Sequence, residues 1–164
     1  MNPSLYLETT IPSYLAARTS SNPVIAIKQS ATHEFFESLR HKYDLFVSDY
    51  VYEECEKGDE AAAKRRLEWL NGIETLKKTP KIEPLAEIYM QLLSIPKDSA
   101  IDARHLAICC IYGIDFLLSW NFKHLGTRSM LIAQKHNDKH GLSTPEMLTP
   151  FDLIEKNNEE GSYE

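Results

Sequence analysis

Short, continuous apolar runs alternate along the chain with longer stretches in which apolar residues recur at helical spacing. The runs at residues 5–7, 44–47 and 115–119 have the length of strands. Between the first two, residues 24–43 carry a pattern that predicts a single long helix. Strands that are apolar throughout are buried on both faces, which is typical of parallel sheets covered by helices. The pattern therefore predicts an α/β domain with a short central parallel sheet.

Helix start and stop signals divide the rest of the chain. Five more helices are predicted, over residues 49–58, 61–71, 85–94, 98–112 and 129–136. Asp98 is the expected N-cap of the fourth of these, and Gly113 follows that helix in the position of a C-terminal cap. Pro80 and Pro84 are expected to mark a break before the third. Residues 146–148 are expected to form an edge strand.

The composition fits one cytoplasmic domain. The chain has 164 residues, of which 43% are hydrophobic, enough to bury a core. We expect a single domain over residues 1–150 and a polar tail over residues 151–164, of which residues 157–164 are expected to be frayed. The three cysteines, Cys55, Cys109 and Cys110, fit neither a disulfide framework nor a zinc spacing, so thiols in a reducing compartment are expected. We expect no signal peptide, because residues 1–10, MNPSLYLETT, lack a basic region and a long apolar run. No run in the sequence approaches the roughly 18 apolar residues that cross a bilayer.

The net charge of −6 limits how the chain could bind nucleic acid. Proteins that bind nucleic acid over a broad surface are normally basic, because they must neutralise phosphates. An acidic protein binds locally, holds phosphates through metal ions, or does not bind nucleic acid. Charge alone favours the last of these, so the chemistry of the site has to decide.

Polar residues follow the three predicted strands at the point where each strand ends. Glu8 follows the first strand, Ser48 follows the second, and Ser119 and Asn121 close the third. The carboxyl ends of parallel strands meet at one edge of the sheet, and ligands of open α/β sheets bind at that edge. We therefore expect a functional site there.

Four oxygen-bearing side chains are candidates for a metal site: Glu8, Glu54, Asp102 and Asn121. Glu54 shares a helix face with residues near the end of the second strand, and Asp102 lies where the helix dipole stabilises negative charge. Taken singly, each has an ordinary explanation as a solvated glutamate, a helix-terminus aspartate or a turn asparagine. Taken together, hard oxygen ligands without a Cys or His cluster favour Mg²⁺ or Mn²⁺ over zinc. Such a metal positions and hydrolyses a phosphodiester.

Four segments of the chain resemble PIN domains, in the order in which that family has them. Residues 5–10, LYLETT, resemble the opening strand with its acidic residue, and residues 48–54, SDYVYEE, resemble the second motif. Residues 102–107, DARHLA, and residues 117–125, LLSWNFKHL, resemble the VapC-like branch of the family. The resemblance implies that the fold is a three-layer α/β/α sandwich with a short central parallel sheet.

The same resemblance implies an activity and a set of ligands. VapC-like proteins are Mg²⁺- or Mn²⁺-dependent endoribonucleases, usually homodimers, and are the toxins of toxin–antitoxin pairs. By position, Glu8, Glu54 and Asp102 would be metal ligands, and Asn121 would complete or orient the metal shell as the fourth catalytic residue. The family usually has Asp at the first position and often Asp at the last. The three remaining carboxylates are enough for one metal and leave a second metal open.

Four further residues are candidates for holding the substrate. Thr9 and Ser119 would place hydroxyls near the metal or the phosphate, as the resemblance implies. Arg104 and Lys123, together with His124 and Arg128, could form a basic rim that holds RNA phosphates, or could be ordinary solvated charges.

The leading hypothesis is a metal-dependent endoribonuclease acting on single-stranded or structured RNA, with a cognate antitoxin as partner. The departures at Glu8 and Asn121 leave a second hypothesis open, in which a non-catalytic PIN-like module with a degenerate metal site binds RNA or protein. An unrelated α/β hydrolase of phosphate esters would not account for the four ordered segments. His105 is interpreted as a satisfied core histidine, and Trp120 as a packing residue.

Overall fold

One parallel sheet forms the centre of the fold. The structure is a computed structural model that describes residues 1–161. Its strands are β1 (Ser4–Leu7), β2 (Asp44–Ser48), β3 (Glu74–Leu76), β4 (Phe116–Leu118) and β5 (Glu146–Leu148). They lie in the order β3-β2-β1-β4-β5, and every neighbouring pair is parallel. Because β2 and β3 lie on one side of β1 and β4 and β5 on the other, the strand order reverses at β1.

Helices cover the sheet. They are α1 (Thr10–Ala16), α2 (Pro23–Glu34), α3 (Asp49–Cys55), α4 (Glu60–Glu68), α5 (Ile82–Leu92), α6 (Ala100–Tyr112), α7 (Thr127–Lys139) and α8 (Pro150–Gly161). Helix α1 contacts α2 and α4, α2 contacts α8, and α5 contacts both α6 and α7. The predicted three-layer α/β/α fold with a central parallel sheet is thus confirmed. Among the helices of residues 1–161, none has the length and apolar character needed to span a membrane.

The predicted long helix changes its winding partway along. Helix α2 ends at Glu34, and the chain continues as a π-helical segment over Phe35–Leu39 and a 3₁₀ turn over Arg40–Lys42. A π-helical segment is wider than an α-helix because its hydrogen bonds reach one residue further. In this segment Phe35, Phe36 and Leu39 are all buried. The apolar spacing that predicted one regular helix therefore belongs to a helix with a local bulge.

Two predicted helix starts are wrong by a few residues. Helix α5 begins at Ile82, so that Pro84 lies in its first turn, where a missing backbone N–H leaves no helical hydrogen bond unmade. The N-cap of α6 is Ser99, whereas Asp98 lies in a preceding 3₁₀ turn over Lys97–Ser99. Gly113 does close α6 in the left-handed conformation, with φ of 68°, as predicted.

The end of the described chain is helical. Helix α8 contacts α2, and its Leu153 is buried. The packed part of the chain therefore extends past residue 150, where the polar tail was expected to start. Residues 162–164 of the predicted tail lie outside the described residues.

The centre of β4 is a place where a truncated side chain should cost considerable stability. Leu117 is fully buried between β1 and β5. We expect Leu117→Ala to lower the free energy of unfolding by about 3 kcal/mol, because it removes buried methyl groups and leaves a cavity. In a chain of this length, that loss lowers the melting temperature by about 6–12 °C.

Thermal and urea unfolding measure this prediction. The matched control is Leu131→Ala on α7, whose side chain is 55% exposed and whose loss should change stability by no more than about 0.5 kcal/mol. Equal losses in the two variants would contradict the burial of β4.

Candidate metal centre

The strand reversal brings two loop starts together at the carboxyl ends of β1 and β4. Glu8 directly follows β1 and Ser119 directly follows β4, and the Ser119 hydroxyl donates to Oε2 of Glu8 over 2.8 Å. The same oxygen accepts the backbone N–H of Thr10 at 3.0 Å and the Thr10 hydroxyl at 2.5 Å. No residue in the range 1–161 donates a hydrogen bond to the other oxygen, Oε1. The chain therefore fixes Glu8 by one carboxylate oxygen and leaves the second available.

Glu54 is fixed in the same way from the neighbouring strand. Ser48 ends β2 and caps α3 by accepting the Val51 N–H, which sets the start of the helix that carries Glu54. Oε1 of Glu54 accepts the Thr9 hydroxyl at 2.5 Å and the ring Nε2–H of His105 at 2.7 Å. Its Oε2 receives no hydrogen bond from the described part of the chain.

The pKa values of Glu54 and His105 shift in opposite directions. Burial by itself would raise the pKa of Glu54, but the hydrogen bond and charge of His105 and the bond from Thr9 outweigh it and lower that pKa. Burial by itself would lower the pKa of His105, but the bond to Glu54 and the nearby negative charges, Glu8 and Asp102 among them, raise it. Glu54 is therefore ionised at neutral pH, as a ligand for a hard cation must be.

The two carboxylates lie close enough to share one cation. Among residues 1–161, Glu8, Glu54 and His105 form the one set of three acidic, His or Cys side chains whose ligand atoms lie within 4.8 Å of one another. Two carboxylate charges at such a separation repel by about 4 kcal/mol at an effective dielectric constant of about 20. A divalent cation between them would relieve that repulsion. Free carboxylate oxygens fit Mg²⁺ or Mn²⁺.

Asp102 and Asn121 form a second group beside the first. Oδ2 of Asp102 lies 2.7 Å from Nδ1 of His124, and its Oδ1 accepts the Asn121 side-chain N–H at 3.5 Å. Oδ1 of Asn121 accepts the backbone N–H of Lys123 at 3.2 Å, which closes the turn after β4. Asp102 also contributes to the raised pKa of His105, which places its charge near the first group. The structure thus places the four predicted residues at one edge of the sheet as two pairs, Glu8 with Glu54 and Asp102 with Asn121. The ligand roles of all four stay predictions.

Trp120 holds the turn after β4 in place. Its backbone N–H donates to the Thr10 hydroxyl and its indole N–H donates to the Thr32 hydroxyl, each at a distance of 2.9 Å. Its ring makes edge contacts with Tyr14 and Phe151. The interpretation of Trp120 as a packing residue is confirmed.

The four predicted substrate-binding residues differ in their surroundings. The Thr9 and Ser119 hydroxyls are used to hold the two glutamates. Arg104 donates from Nε to Glu83 over 2.9 Å, and Lys123 is exposed. Arg104 lines an open cleft of about 440 Å³ that borders Glu54.

Sequence reasoning missed three residues of the site. Thr10 makes two of the three bonds that fix Glu8. His105 is buried and satisfied, as expected, but one of its partners is Glu54 and the other is the Tyr6 hydroxyl. The run Glu8-Thr9-Thr10 contained a local signal for Thr10, since its hydroxyl stands two residues after the carboxylate and Thr side chains readily make short-range hydrogen bonds. Tyr6 gave no such signal, because it stands in an apolar strand.

Neither a protein-family model nor a curated protein sequence matches the chain. Two solved structures are similar to it in shape. One is a chain in the crystal structure of VapBC2 from Rickettsia felis bound to a DNA fragment from their promoter. It is 13% identical, covers 88% of this chain and 97% of its own, and gives a TM-score of 0.56.

The other is Mycobacterium tuberculosis VapC20, a toxin that cleaves the sarcin-ricin loop. It is 14% identical, and the match covers 74% of this chain and 92% of that one with a TM-score of 0.53. At these identities the likeness concerns the fold. The chain has a VapC-like PIN-domain fold.

Proposed function

We propose that the chain is a metal-dependent endoribonuclease of the VapC-like PIN family. The observation that carries the proposal is the matched fixing of Glu8 and Glu54. Protein donors take one oxygen of each carboxylate, while the other oxygen of each is left for a cation. The fold likeness to a toxin that cleaves RNA supports the same proposal.

In this proposal each residue has a distinct task. Glu8 and Glu54 hold Mg²⁺ or Mn²⁺, with Asp102 as the third ligand and Asn121 orienting Asp102. When bound, the cation supplies an activated water and stabilises charge on the phosphate. Thr9 and Ser119 keep the two glutamates from turning away, so that little reorganisation is needed when the cation arrives.

The cleft beside Glu54 offers a path for the RNA backbone. It is lined by four basic residues, Lys57, Lys78, Lys97 and Arg104, and by four acidic ones, Glu53, Glu54, Glu83 and Asp98. Lys78 pairs with Glu53 and Arg104 with Glu83, whereas Lys57 and Lys97 make no ion pair with residues 1–161. Lys57 and Lys97, together with the cation, would supply the positive charge through which a chain of net charge −6 binds phosphates.

The partners follow from the same family. We propose that the chain is the toxin of a toxin–antitoxin pair, that a cognate antitoxin holds it inactive, and that it acts in the cytoplasm as a homodimer. The similarity to a VapBC2 structure supports the antitoxin.

Metal removal tests the activity. Purified protein with Mn²⁺ should cut single-stranded RNA, EDTA should reduce cutting to background, and added Mn²⁺ should restore it, because Glu8 and Glu54 need a cation to bind the phosphate. Gel analysis of a labelled RNA measures all three steps. Cutting that persists in EDTA would refute the proposal. RNA binding without cutting, and without heat of Mn²⁺ binding in calorimetry, would favour the non-catalytic module instead.

A further inference from the structure

A chain of buried hydrogen bonds runs from the core of the sheet to Glu54. The Ser48 and Tyr6 hydroxyls lie 2.7 Å apart, and the Tyr6 hydroxyl lies 2.6 Å from Nδ1 of His105. Nε2 of His105 then lies 2.7 Å from Oε1 of Glu54. Tyr6, Ser48 and His105 are each at most 1% exposed. Glu54, at the end of this series of hydrogen bonds, borders the open cleft.

This series of hydrogen bonds presents an N–H to Glu54 whether the His105 ring is neutral or charged. With a neutral ring, Nε2–H donates to Glu54 and Nδ1 accepts the Tyr6 hydroxyl, which in turn accepts from Ser48. With a charged ring, both nitrogens donate, so the Tyr6 hydroxyl accepts from Nδ1 and donates its own hydrogen bond to Ser48. Glu54 receives an N–H at Oε1 in both cases, so Oε2 is the oxygen left for a ligand.

These contacts hold the ring as well as the carboxylate. The Tyr6 ring is fixed in the centre of β1 and lies 5.7 Å from the His105 ring, centroid to centroid. A histidine bonded at one nitrogen only can turn about its side-chain bonds, whereas one bonded at both nitrogens is fixed. A fixed donor keeps the acceptor oxygen of Glu54 in place before any ligand binds.

We infer that Tyr6 and His105 are positioning residues that set the affinity of the centre for divalent cations without touching the cation. The inference rests on the proposed function, since it takes Glu54 as a metal ligand. Residues that orient a metal ligand typically change metal affinity by about 10- to 100-fold when they are removed.

Tyr6→Phe tests the inference, because it removes the hydroxyl and keeps the ring. We expect the dissociation constant for Mn²⁺, measured by titration calorimetry, to rise by about tenfold or more. Tyr89→Phe is the matched control. Tyr89 is also fully buried, and its hydroxyl donates to Asn137 at a distance of 2.5 Å. Asn137 lies on α7, which carries none of the four candidate metal-site residues. Each variant removes one buried hydroxyl, which bonds to Ser48 and His105 in the case of Tyr6 and to Asn137 in the case of Tyr89. Only Tyr6→Phe should weaken Mn²⁺ binding.

Two further variants keep the test decisive if Tyr6→Phe folds poorly. His105→Gln retains an N–H that can reach Glu54, and should bind Mn²⁺ more tightly than His105→Leu, which retains none. Wild-type affinity in Tyr6→Phe and His105→Leu would overturn the inference and leave the proposed function standing. Absence of Mn²⁺ binding by the wild-type protein would overturn both.

Discussion

Glu8→Gln is expected to lower Mn²⁺-dependent RNA cleavage by about a hundred- to a thousandfold, because a metal ligand contributes several kcal/mol of charge stabilisation. The hydrogen-bond donors around Glu8 determine the orientation of the amide in this variant. Three donors, two from Thr10 and one from Ser119, surround Oε2 and need an acceptor there. The amide oxygen must take that position, which forces the NH₂ group into the position of Oε1. A donor then stands where a cation needs an acceptor.

The same argument applies to Glu54→Gln, since Thr9 and His105 both donate to Oε1. Glu53→Gln is the matched control, because Glu53 is its neighbour on α3, is exposed and pairs with Lys78. Initial rates of RNA cleavage, with Mn²⁺ affinity from calorimetry, measure the effect. Wild-type rates in Glu8→Gln would remove Glu8 from the metal centre. A loss in Glu53→Gln as large as that in Glu54→Gln would show that general charge on α3 matters, and not the ligand atom.

Asp102→Asn is expected to lower cleavage by about a hundredfold or more, because it removes the third negative charge from the centre. In the structure both oxygens of Asp102 are occupied, one by His124 and one by Asn121. Binding of a cation must therefore displace or share one of these contacts. The substitution keeps the shape of the side chain, so cleavage rate and Mn²⁺ affinity should fall while the melting temperature in EDTA changes little.

Asp98→Asn provides the control for Asp102. It removes the same charge one turn earlier, on a residue that is exposed. Cleavage at the wild-type rate in Asp102→Asn, with loss in Glu8→Gln, would mean that Glu8 and Glu54 hold the cation and that Asp102 serves only as the partner of His124.

The sequence predicted where the candidate site lies better than it predicted the hydrogen bonds within it. Glu8 and Ser119 could be placed at one edge because short, wholly apolar strands predict a parallel sheet, and parallel strands end at the same edge. The direct hydrogen bond between them follows from the pairing of β1 with β4, which are separated by more than one hundred residues. Periodicity along the chain carries no information about which strands become neighbours.

Contacts between distant segments account for what was missed. Tyr6 reads as a core residue of a strand, and its use as a hydrogen-bonding partner depends on His105 arriving from α6. Strand β3 has three residues, of which only Leu76 is buried, so it lacks a pattern long enough to recognise. Helix α8 lies in the stretch that was expected to be a polar tail, and its Leu153 is buried.

Both edges of the sheet are short. Strands β3 and β5 have three residues each, and each edge begins with an exposed glutamate, Glu74 and Glu146. A short, charged edge offers few unpaired backbone groups to a strand from another molecule, which disfavours edge-to-edge aggregation. A dimer of this chain should therefore form through its helices, and a continuous sheet running from one subunit into the next is not expected.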